Sequence, residues 1–540
     1  MIIDQFYSNV DKNNFYLGIV SQVFKDSCVI QTENLTWLQQ RRIYEELLNP
    51  NTINYHVVID STAGLFIGEV YQSKIQSAQN THIALNKNST ETIFPELYVD
   101  IFGILTSEVN NFTTQGFKSV GLTDRVYIAN NEIKKCLLQS VEIKRLDSKY
   151  LQTRIDSFAK VTNLGHEEVS LYPETLLDRH LMTIGTTNSG KSTTALTILD
   201  KLINANKKLL IIDPTGEYSQ SFLEEKVERL TLGVDTVLST GKVSFTQWAT
   251  LFETNDGTQP AVLADAIISL RYQMKIGESS PYIKENKAVL DVKRALGTLK
   301  DKDVDFDLSL LTAQIFEEGV EVNKDMTKYT KGSFQFNNKQ WLAQKVEHKL
   351  RNVKLLEFFN SSTPKKNLLE IIERFMKNDI QSLYIDTSKI GVGDGIGSMI
   401  IDLISNFIIN EKEKDGTAFV VFIDEVHRYS KDIQLGGYQT GLTAIAREGR
   451  KKGVFLFLTT QNPNDVPVEL LGQIGSLLIH RLTHKNELDA VRNYLNDGTF
   501  KQISKLNQGE AVLTSINLIK DLNLQINKCS RIHFNNTTNL

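Results

Sequence analysis

An eight-residue segment, GTTNSGKS from Gly185 to Ser192, constrains the fold more than any other part of the sequence. It fits the pattern G-x-x-x-x-G-K-[ST], in which inward-turned backbone N–H groups and the positive end of the next helix surround a phosphate. The apolar run Leu181–Ile184 precedes this segment, and apolar residues at helical spacing follow it. A second apolar run, Leu209–Ile212, completes a βαβ unit, which predicts a parallel sheet.

The residue types in this loop predict a site for ATP and Mg²⁺. We expect Lys191 to reach the β- and γ-phosphates and the Ser192 hydroxyl to ligate Mg²⁺. A chance glycine turn is the alternative, but the strand before the loop and the helix after it favour the phosphate site. The predicted nucleotide-binding residues are Gly185, Thr186, Thr187, Asn188, Ser189, Gly190, Lys191, Ser192 and Thr193.

Two later apolar runs end in polar residues that are suited to phosphate chemistry. Phe419–Ile423 is followed by Asp424 and Glu425, which is the Walker B arrangement. We expect Asp424 to hold Mg²⁺ through a water and Glu425 to orient and polarise the attacking water. After Val454–Leu458, Gln461 is the predicted sensor of the γ-phosphate or the water. A surface acidic pair and a glutamine in an ordinary turn remain the alternatives.

A dense basic segment, AREGRKKG at residues 446–453, precedes the second of these runs. Arg447 or Arg450 could contact a nucleotide phosphate, which accelerates phosphoryl transfer by a large factor. The alternative is a solvated helix end, where basic side chains suit the helix dipole. Arg179, upstream of the glycine loop, is a further candidate for the same role.

Composition limits the partners and the compartment. The 540 residues include 60 basic and 64 acidic side chains, so bulk positive charge cannot hold nucleic acid and any such contact must be local. The apolar runs are far shorter than the roughly 20 residues of a membrane span, and the first residues do not resemble a signal peptide. Three cysteines that are far apart fit a reducing compartment. We therefore expect a cytoplasmic protein without a membrane segment.

The pattern of apolar runs and turn residues along the chain predicts an α/β architecture in three parts. Residues 1–175 show short β-type runs between turn residues, as in a small barrel. Residues 176–515 are predicted to form the core with the parallel sheet, interrupted at about 219–380 by a helical insertion. Residues 516–540 are expected to add a C-terminal strand and tail.

The order of these motifs resembles the HerA family, in the HerA/FtsK branch of P-loop ATPases. The resemblance covers about residues 176–515, and the segment LNQGEA at 506–511 is also similar to the family's penultimate strand. One departure is Thr187-Asn188, where many members carry Thr-Gly. The matching segments are Arg179-His180, Gly185–Ser192, Asp213–Tyr218, Asp424–His427, Arg447–Gly453 and Thr460–Pro463.

The resemblance implies a RecA-like core, a homo-hexameric ring and an ATP-hydrolysing DNA translocase or helicase that draws double-stranded DNA through its pore. It also implies a nucleotide site at the subunit interface, with an arginine finger or sensor among Arg179, Arg447 and Arg450. Which of them acts in trans stays open. Family members usually work beside a nuclease, a sirtuin-like enzyme or another effector, and some bacterial members serve anti-phage defence.

The segment Ser430–Thr440 is our hypothesis for the pore loop, with Lys431 for phosphates and Tyr438 for base stacking. A plain flexible loop is the alternative. Three other functions compete with that of a motor. The first is a nucleotide-gated ring that scaffolds a partner effector with little translocation. The second is a secretion or conjugation coupling ATPase, but such proteins often carry membrane helices. The third is a DExH helicase, but that class would place Asp424 closer to Lys191 along the chain.

Overall fold

The computed structural model describes most of the chain and divides into two compact units. Residues 1–178, 183–205 and 475–528 form the first unit, and residues 179–182, 206–474 and 529–540 form the second. The described residues are 2–75, 78–87, 89, 93–107, 111–143, 153–164, 167–224, 226–255, 257–332, 336–352, 355–359, 365–391, 395–414, 416–430, 440–495 and 497–533.

The strands and helices of the described residues are numbered in chain order. The strands are β1 Tyr16–Val23, β2 Ser27–Thr32, β3 Arg41–Ile43, β4 Glu46–Leu48, β5 His56–Ser61, β6 Gly64–Lys74, β7 Glu96–Leu105, β8 Arg125–Ile128, β9 Ala159–Val161, β10 Glu167–Val169, β11 Leu181–Ile184, β12 Lys208–Asp213, β13 Val227–Thr231, β14 Thr236–Val237, β15 Val320–Val322, β16 Tyr329–Lys331, β17 Lys366–Asn367, β18 Ser382–Asp386, β19 Phe419–Ile423, β20 Val454–Thr460, β21 Ser476–Ile479, β22 Glu510–Ser515 and β23 Leu522–Ile526. The helices are α1 Ala78–Asn86, α2 Asn131–Gln139, α3 Pro173–Leu177, α4 Lys191–Asn204, α5 Phe245–Leu251, α6 Gln259–Ile276, α7 Val289–Leu296, α8 Leu311–Glu317, α9 Phe336–Asn352, α10 Leu355–Phe359, α11 Leu368–Met376, α12 Ile396–Glu411, α13 His427–Ser430, α14 Gly441–Glu448, α15 Val468–Leu471, α16 Lys485–Val491 and α17 Asp497–Ile503.

The N-terminal part of the first unit is a closed barrel with the strand order β1-β2-β7-β6-β5-β8. All neighbouring strands are antiparallel, and β1 closes the barrel on β8 through the pair Ile19 and Arg125. Closure removes the free sheet edges that short β-branched strands would otherwise expose. The predicted small barrel is confirmed.

The first unit also contains an antiparallel sheet with the order β10-β9-β23-β22-β21. The strands β22 and β23 form a hairpin, and Glu510 begins β22. The backbone N–H of His480, directly after β21, donates to the carbonyl oxygen of Ile184 at the end of β11. This bond joins the end of β21 to the strand that leads into the glycine loop.

The second unit contains a parallel sheet with the order β20-β19-β12-β18-β13. Every residue of β12 and β19 is buried, which explains the apolar runs Leu209–Ile212 and Phe419–Ile423, since helices cover both faces of a parallel sheet. Phe422 of β19 pairs with Ile211 on one side and Phe457 on the other. The predicted α/β fold with a central parallel sheet is confirmed.

The region 219–380 contains the helices α5 to α11, as its sequence predicted, and it also contributes a strand to the parallel sheet. Val227 of β13 pairs with Ser382 of β18, so the edge of the sheet comes from within the predicted insertion. The sequence VERLT is too short and too polar to stand out as a sheet strand. Among the described residues, no helix has both the length and the apolar character needed to cross a membrane.

Candidate functional site

The loop between β11 and α4 makes a tight turn that requires small residues. Gly190 directly precedes α4 and is left-handed at φ +106°. A Cβ on Gly185 would lie 2.5 Å from Ser189 Oγ and 2.7 Å from His480 Cβ, so a larger residue does not fit there. Asn188 is left-handed at φ +65°, a conformation that asparagine tolerates better than most residues. The left-handed backbone at this position therefore suits asparagine.

Backbone hydrogen bonds fix this loop against later segments of the first unit. The N–H and the hydroxyl of Thr186 both donate to the carbonyl oxygen of Arg481, at 3.2 and 3.1 Å. The N–H of Gly509 donates to the carbonyl oxygen of Ser189 at 3.0 Å. The loop conformation therefore depends on residues that lie some 300 positions further along the chain.

The predicted nucleotide-binding residues form one continuous loop and first helical turn. Lys191 is buried at the start of α4, Ser192 and Thr193 are half-buried, and Thr187 is exposed. Helix α4 is 14 residues long, and the N–H groups of its first turn have no partners within the helix. Ser189 Oγ is buried and has no hydrogen-bond partner among the described residues. These donors match the oxygen-rich chemistry of a triphosphate.

His480 supports the loop from behind, and no motif in the sequence marks it. Its Nδ1 lies 2.9 Å from the carbonyl oxygen of Glu510, and its Nε2 lies 2.9 Å from the Thr194 hydroxyl. Burial lowers the pKa of His480 to about 4, and the positive charge of Lys191 also lowers it. The only sequence signal was a polar residue at the end of the weak apolar run Ser476–Ile479.

Asp424 and Glu425 follow β19 in the second unit and are both buried. The Thr459 hydroxyl at the end of β20 donates to Asp424 Oδ1 at 2.5 Å and accepts from the N–H of Glu425 at 2.8 Å. Glu425 has φ +46°, a left-handed conformation that is uncommon for a residue with a side chain. Thr459, which no motif in the sequence marks, therefore positions the carboxylate of Asp424 and the backbone of Glu425.

Two further side chains flank the carboxylate of Glu425. Gln461 Nε2 donates to Glu425 Oε1 at 2.9 Å, and His427 Nδ1 lies 3.1 Å from Glu425 Oε2. The sequence analysis placed Gln461 near the attacking water, and the structure brings it into direct contact with the carboxylate chosen to activate that water. His427 lies on the other side of the same carboxylate.

The motif Asp213–Tyr218 forms a turn around one buried carboxylate. Asp213 Oδ1 accepts from the N–H groups of Thr215 and Gly216, at 3.0 and 2.8 Å. Asp213 Oδ2 accepts from the N–H of Tyr218 at 2.9 Å and from the Tyr384 hydroxyl at 2.8 Å. Burial, with the charge of Asp213, raises the pKa of Tyr384. This network joins the carboxyl end of β12 to the neighbouring strand β18 and to the turn that follows β12.

All three candidate arginines have exposed side chains in the second unit. Arg447 belongs to α14, Arg450 to the short turn Gly449–Lys452, and Arg179 directly precedes β11 and His180. Their catalytic roles stay a prediction.

His180 is buried and connects Arg179 to the basic segment. Its Nε2 lies 2.9 Å from the carbonyl oxygen of Ala446, and its Nδ1 accepts from the N–H of Leu456 at 2.9 Å. Because a carbonyl can only accept, Nε2 carries the proton. One hydrogen bond thus joins His180, which follows Arg179, to Ala446, which precedes Arg447.

Several predictions about the site stay predictions. The glycine loop belongs to the first unit, whereas Asp424, Glu425 and Gln461 belong to the second, so a shared ATP site is proposed below on the motifs. Lys431 and Tyr438, the key residues of the hypothetical pore loop, lie outside the described residues. In the described part of the chain, no three His, Cys, Asp or Glu side chains cluster in a way that could hold a metal ion.

A left-handed glycine before a helix that begins with lysine, together with a buried parallel strand that ends in two carboxylates, defines the fold of a P-loop ATPase. Residues 159–409 match the family model for the central domain of helicase HerA, and residues 402–519 match that for the HerA-like C-terminal domain. The chain belongs to the HerA family.

Curated relatives agree with this assignment. A probable helicase of Methanocaldococcus jannaschii is 23% identical over 351 residues, and this covers 64% of this chain and 62% of that protein. The DNA double-strand break repair helicase HerA of Sulfurisphaera tokodaii is 24% identical over 355 residues, with 62% of each chain covered. This chain therefore spans less than two thirds of the length of these relatives.

Two solved structures have a partly similar chain trace. The bacterial conjugative coupling protein TrwB is 14% identical with a TM-score of 0.45, covering 71% of this chain and 92% of that one. VirB4 of Thermoanaerobacter pseudethanolicus is 12% identical with a TM-score of 0.48, covering 69% and 97%. The family assignment rests on the sequence matches.

Proposed function

We propose that this protein is an ATP-hydrolysing DNA translocase or helicase of the HerA type, with ATP and Mg²⁺ as cofactors. The observation that carries the proposal is the loop Gly185–Gly190. Its left-handed glycine directly precedes α4, and the positive N-terminal end of this helix, which begins with the buried Lys191, suits an anion. A nucleoside triphosphate is the ligand that this loop and the Walker B carboxylates would serve together.

In this proposal each group has one task. Lys191 binds the β- and γ-phosphate oxygens, while Ser192 and Asp424 hold Mg²⁺, which neutralises phosphate charge when it is bound. Glu425 accepts a proton from the attacking water or orients that water. The hydrogen bond from Gln461 keeps the Glu425 carboxylate in one orientation, so that the water is aligned before the reaction begins.

We propose that the chain acts as a homo-hexameric ring, with the ATP site at the interface between subunits. The exposure of Arg179, Arg447 and Arg450 supports this, because a guanidinium that reaches a neighbour's γ-phosphate must project from its own subunit. The small net charge is compatible with DNA in the pore, since six copies multiply a few contacts. A nuclease, a sirtuin-like enzyme or another effector is the proposed partner, in defence or in repair.

The first test compares Lys191→Ala and Glu425→Gln with the original protein. Lys191→Ala should lose binding of a fluorescent ATP analogue, because the phosphates lose their cation. Glu425→Gln should bind the analogue normally but hydrolyse ATP at least about 100-fold more slowly. The matched controls are Lys201→Ala, later in the same helix, and Glu469→Gln, on an exposed helix. Normal hydrolysis by Glu425→Gln would refute the role of that carboxylate.

The second test addresses translocation and assembly. A third strand annealed to duplex DNA should be displaced in the presence of MgATP, and not by Glu425→Gln. Mass photometry with and without ATP and DNA should detect hexamers. A strict monomer under every condition would contradict the interface arginines.

A nucleotide-gated scaffold is the second candidate. It is favoured by exposed apolar side chains, Phe117 and Leu122, in the unit that contains the barrel, since such residues could receive an effector. ATP hydrolysis without any strand displacement, combined with ATP-dependent capture of the effector, would support this candidate over the motor.

A further inference from the structure

The imidazole of His480 lies between the first turn of α4 and the start of β22, within the first unit. It is fully buried. Because the Glu510 carbonyl can only accept, Nδ1 carries the proton and donates to it at 2.9 Å. In the neutral ring, Nε2 is then an acceptor for the Thr194 hydroxyl at 2.9 Å. Both ring nitrogens are satisfied by one tautomer.

His480 also lies close to both ends of the glycine loop. A Cβ on Gly185 would lie 2.7 Å from His480 Cβ, and a Cβ on Gly190 would lie 3.6 Å from His480 Cε1. Thr194 is in the first turn of α4, and its N–H donates to the carbonyl oxygen of Gly190. The imidazole therefore joins the first turn of α4 to Glu510, while Ser189 Oγ and His480 Cβ leave room only for glycine at position 185.

We propose that His480 is a positioning residue of the phosphate loop, which holds α4 and the loop in the nucleotide-binding conformation through Thr194 and Glu510. This inference rests on the proposed binding of ATP by that loop. A loop that is already ordered does not lose conformational freedom when the ligand binds. Loss of the contacts that order the loop should therefore weaken nucleotide binding more than it slows the chemical step. Thr194, His480 and Glu510 also connect the loop to the β22–β23 hairpin.

The test removes one hydrogen bond of the series Thr194–His480–Glu510 at a time. In His480→Asn, the side-chain amide can replace Nδ1–H toward Glu510 but cannot reach Thr194. Thr194→Val removes the hydroxyl at constant shape, and Thr194→Ser retains it. Thr197→Val is the matched control, because the Thr197 hydroxyl donates to the Thr193 carbonyl within the same helix.

We expect His480→Asn and Thr194→Val each to raise KM for ATP, and Kd for a fluorescent ATP analogue, about tenfold, with kcat changed less than about twofold. The double variant should be no worse than either single variant, because both remove the same interaction. Thr194→Ser and Thr197→Val should keep the original KM. If His480→Asn fails to fold, the comparison of Thr194→Val with Thr194→Ser still decides.

Three outcomes would overturn the inference. The first is a normal KM and Kd in both single variants. The second is effects that add fully in the double variant. The third is a lowered Tm with unchanged KM, which is the behaviour of a histidine that only stabilises the core. Lys191→Ala keeps this test separate from the proposed function, since retention of nucleotide binding by that variant would refute the ATP site itself.

Discussion

The side-chain amide of Gln461 donates a hydrogen bond of 2.9 Å to the carboxylate of Glu425. The two residues are 36 positions apart in sequence and follow two neighbouring parallel strands. Because the carboxyl ends of parallel strands meet at one edge of the sheet, polar residues that follow each strand become neighbours. We propose that this contact lets the predicted sensor orient the predicted catalytic carboxylate.

Replacement of Gln461 by alanine should slow hydrolysis and leave nucleotide binding unchanged. The Glu425 carboxylate would lose one of its two flanking side chains and sample other orientations, so we expect kcat to fall about tenfold or more with KM changed less than about twofold. Steady-state ATPase assays would measure both constants. Gln473→Ala, on an exposed segment, is the control. An unchanged kcat would show that the contact does not matter for catalysis.

Thr459→Val should affect both stability and the magnesium requirement. The change leaves the N–H of Glu425 and one oxygen of Asp424 buried without the Thr459 hydroxyl, which costs about 1–3 kcal/mol for a buried polar group. We expect a lower Tm and a higher Mg²⁺ concentration for half-maximal ATPase activity. Thr459→Ser retains the hydroxyl and should behave like the original protein. Equal Mg²⁺ requirements in both variants would contradict this role of Thr459.

Gly185→Ala should abolish binding of a fluorescent ATP analogue. The added methyl group would lie within 2.7 Å of both Ser189 Oγ and His480 Cβ, so the loop must shift away from its anion-binding shape. Gly257→Ala is the matched control, because the nearest described atom to its methyl group is Asn255 Oδ1, at 3.4 Å. Retained affinity in Gly185→Ala would mean that the loop has more freedom than its contacts indicate.

Acidification should destabilise the first unit through two buried histidines. Burial lowers the pKa of His480 to about 4 and that of His56 to about 3, whereas an unfolded histidine titrates near 6.5. Between these values the unfolded chain binds more protons than the folded chain, so stability is full above pH 6.5 and is lost as the pH falls toward 4. For His480 the loss is on the order of 3 kcal/mol.

Thermal unfolding between pH 7.5 and pH 4 would measure this effect. His480→Gln should give a shallower dependence of Tm on pH than the original protein. His82→Gln, which replaces an exposed histidine, should leave the dependence unchanged. Identical slopes for all three proteins would show that His480 does not contribute to the acid sensitivity.

Lys520→Met should destabilise the barrel. Lys520 lies between β22 and β23, and its ammonium group pairs with the carboxylate of Glu69 on β6 and lies 3.0 Å from His56 Nε2. The charge of Lys520 helps to lower the pKa of Glu69 to about 2, so the variant leaves a half-buried anion without its cation. We expect a loss of up to about 3–5 kcal/mol in urea unfolding. The double variant Lys520→Met, Glu69→Gln should recover part of it.

The sequence alone determined the features that are written in consecutive residues. The order of strand, glycine loop and helix at residues 181–204 was predictable because its spacing has one stable geometry, and the buried runs at 419–423 and 454–458 were predictable because parallel strands are apolar throughout. The small barrel followed from the recurrence of short β-branched runs between turn residues.

The tertiary structure decided which distant residues support those features. His480 reaches Thr194 across 286 positions, and Thr459 reaches Asp424 across 35. Such long separations leave no periodic or local signal in the sequence. A hydrogen bond between two distant side chains depends on the order of the strands in a sheet and not on spacing along the chain. The motifs thus predict which groups can bind a phosphate, whereas the packing of strands that are distant in sequence determines which residues hold those groups in place.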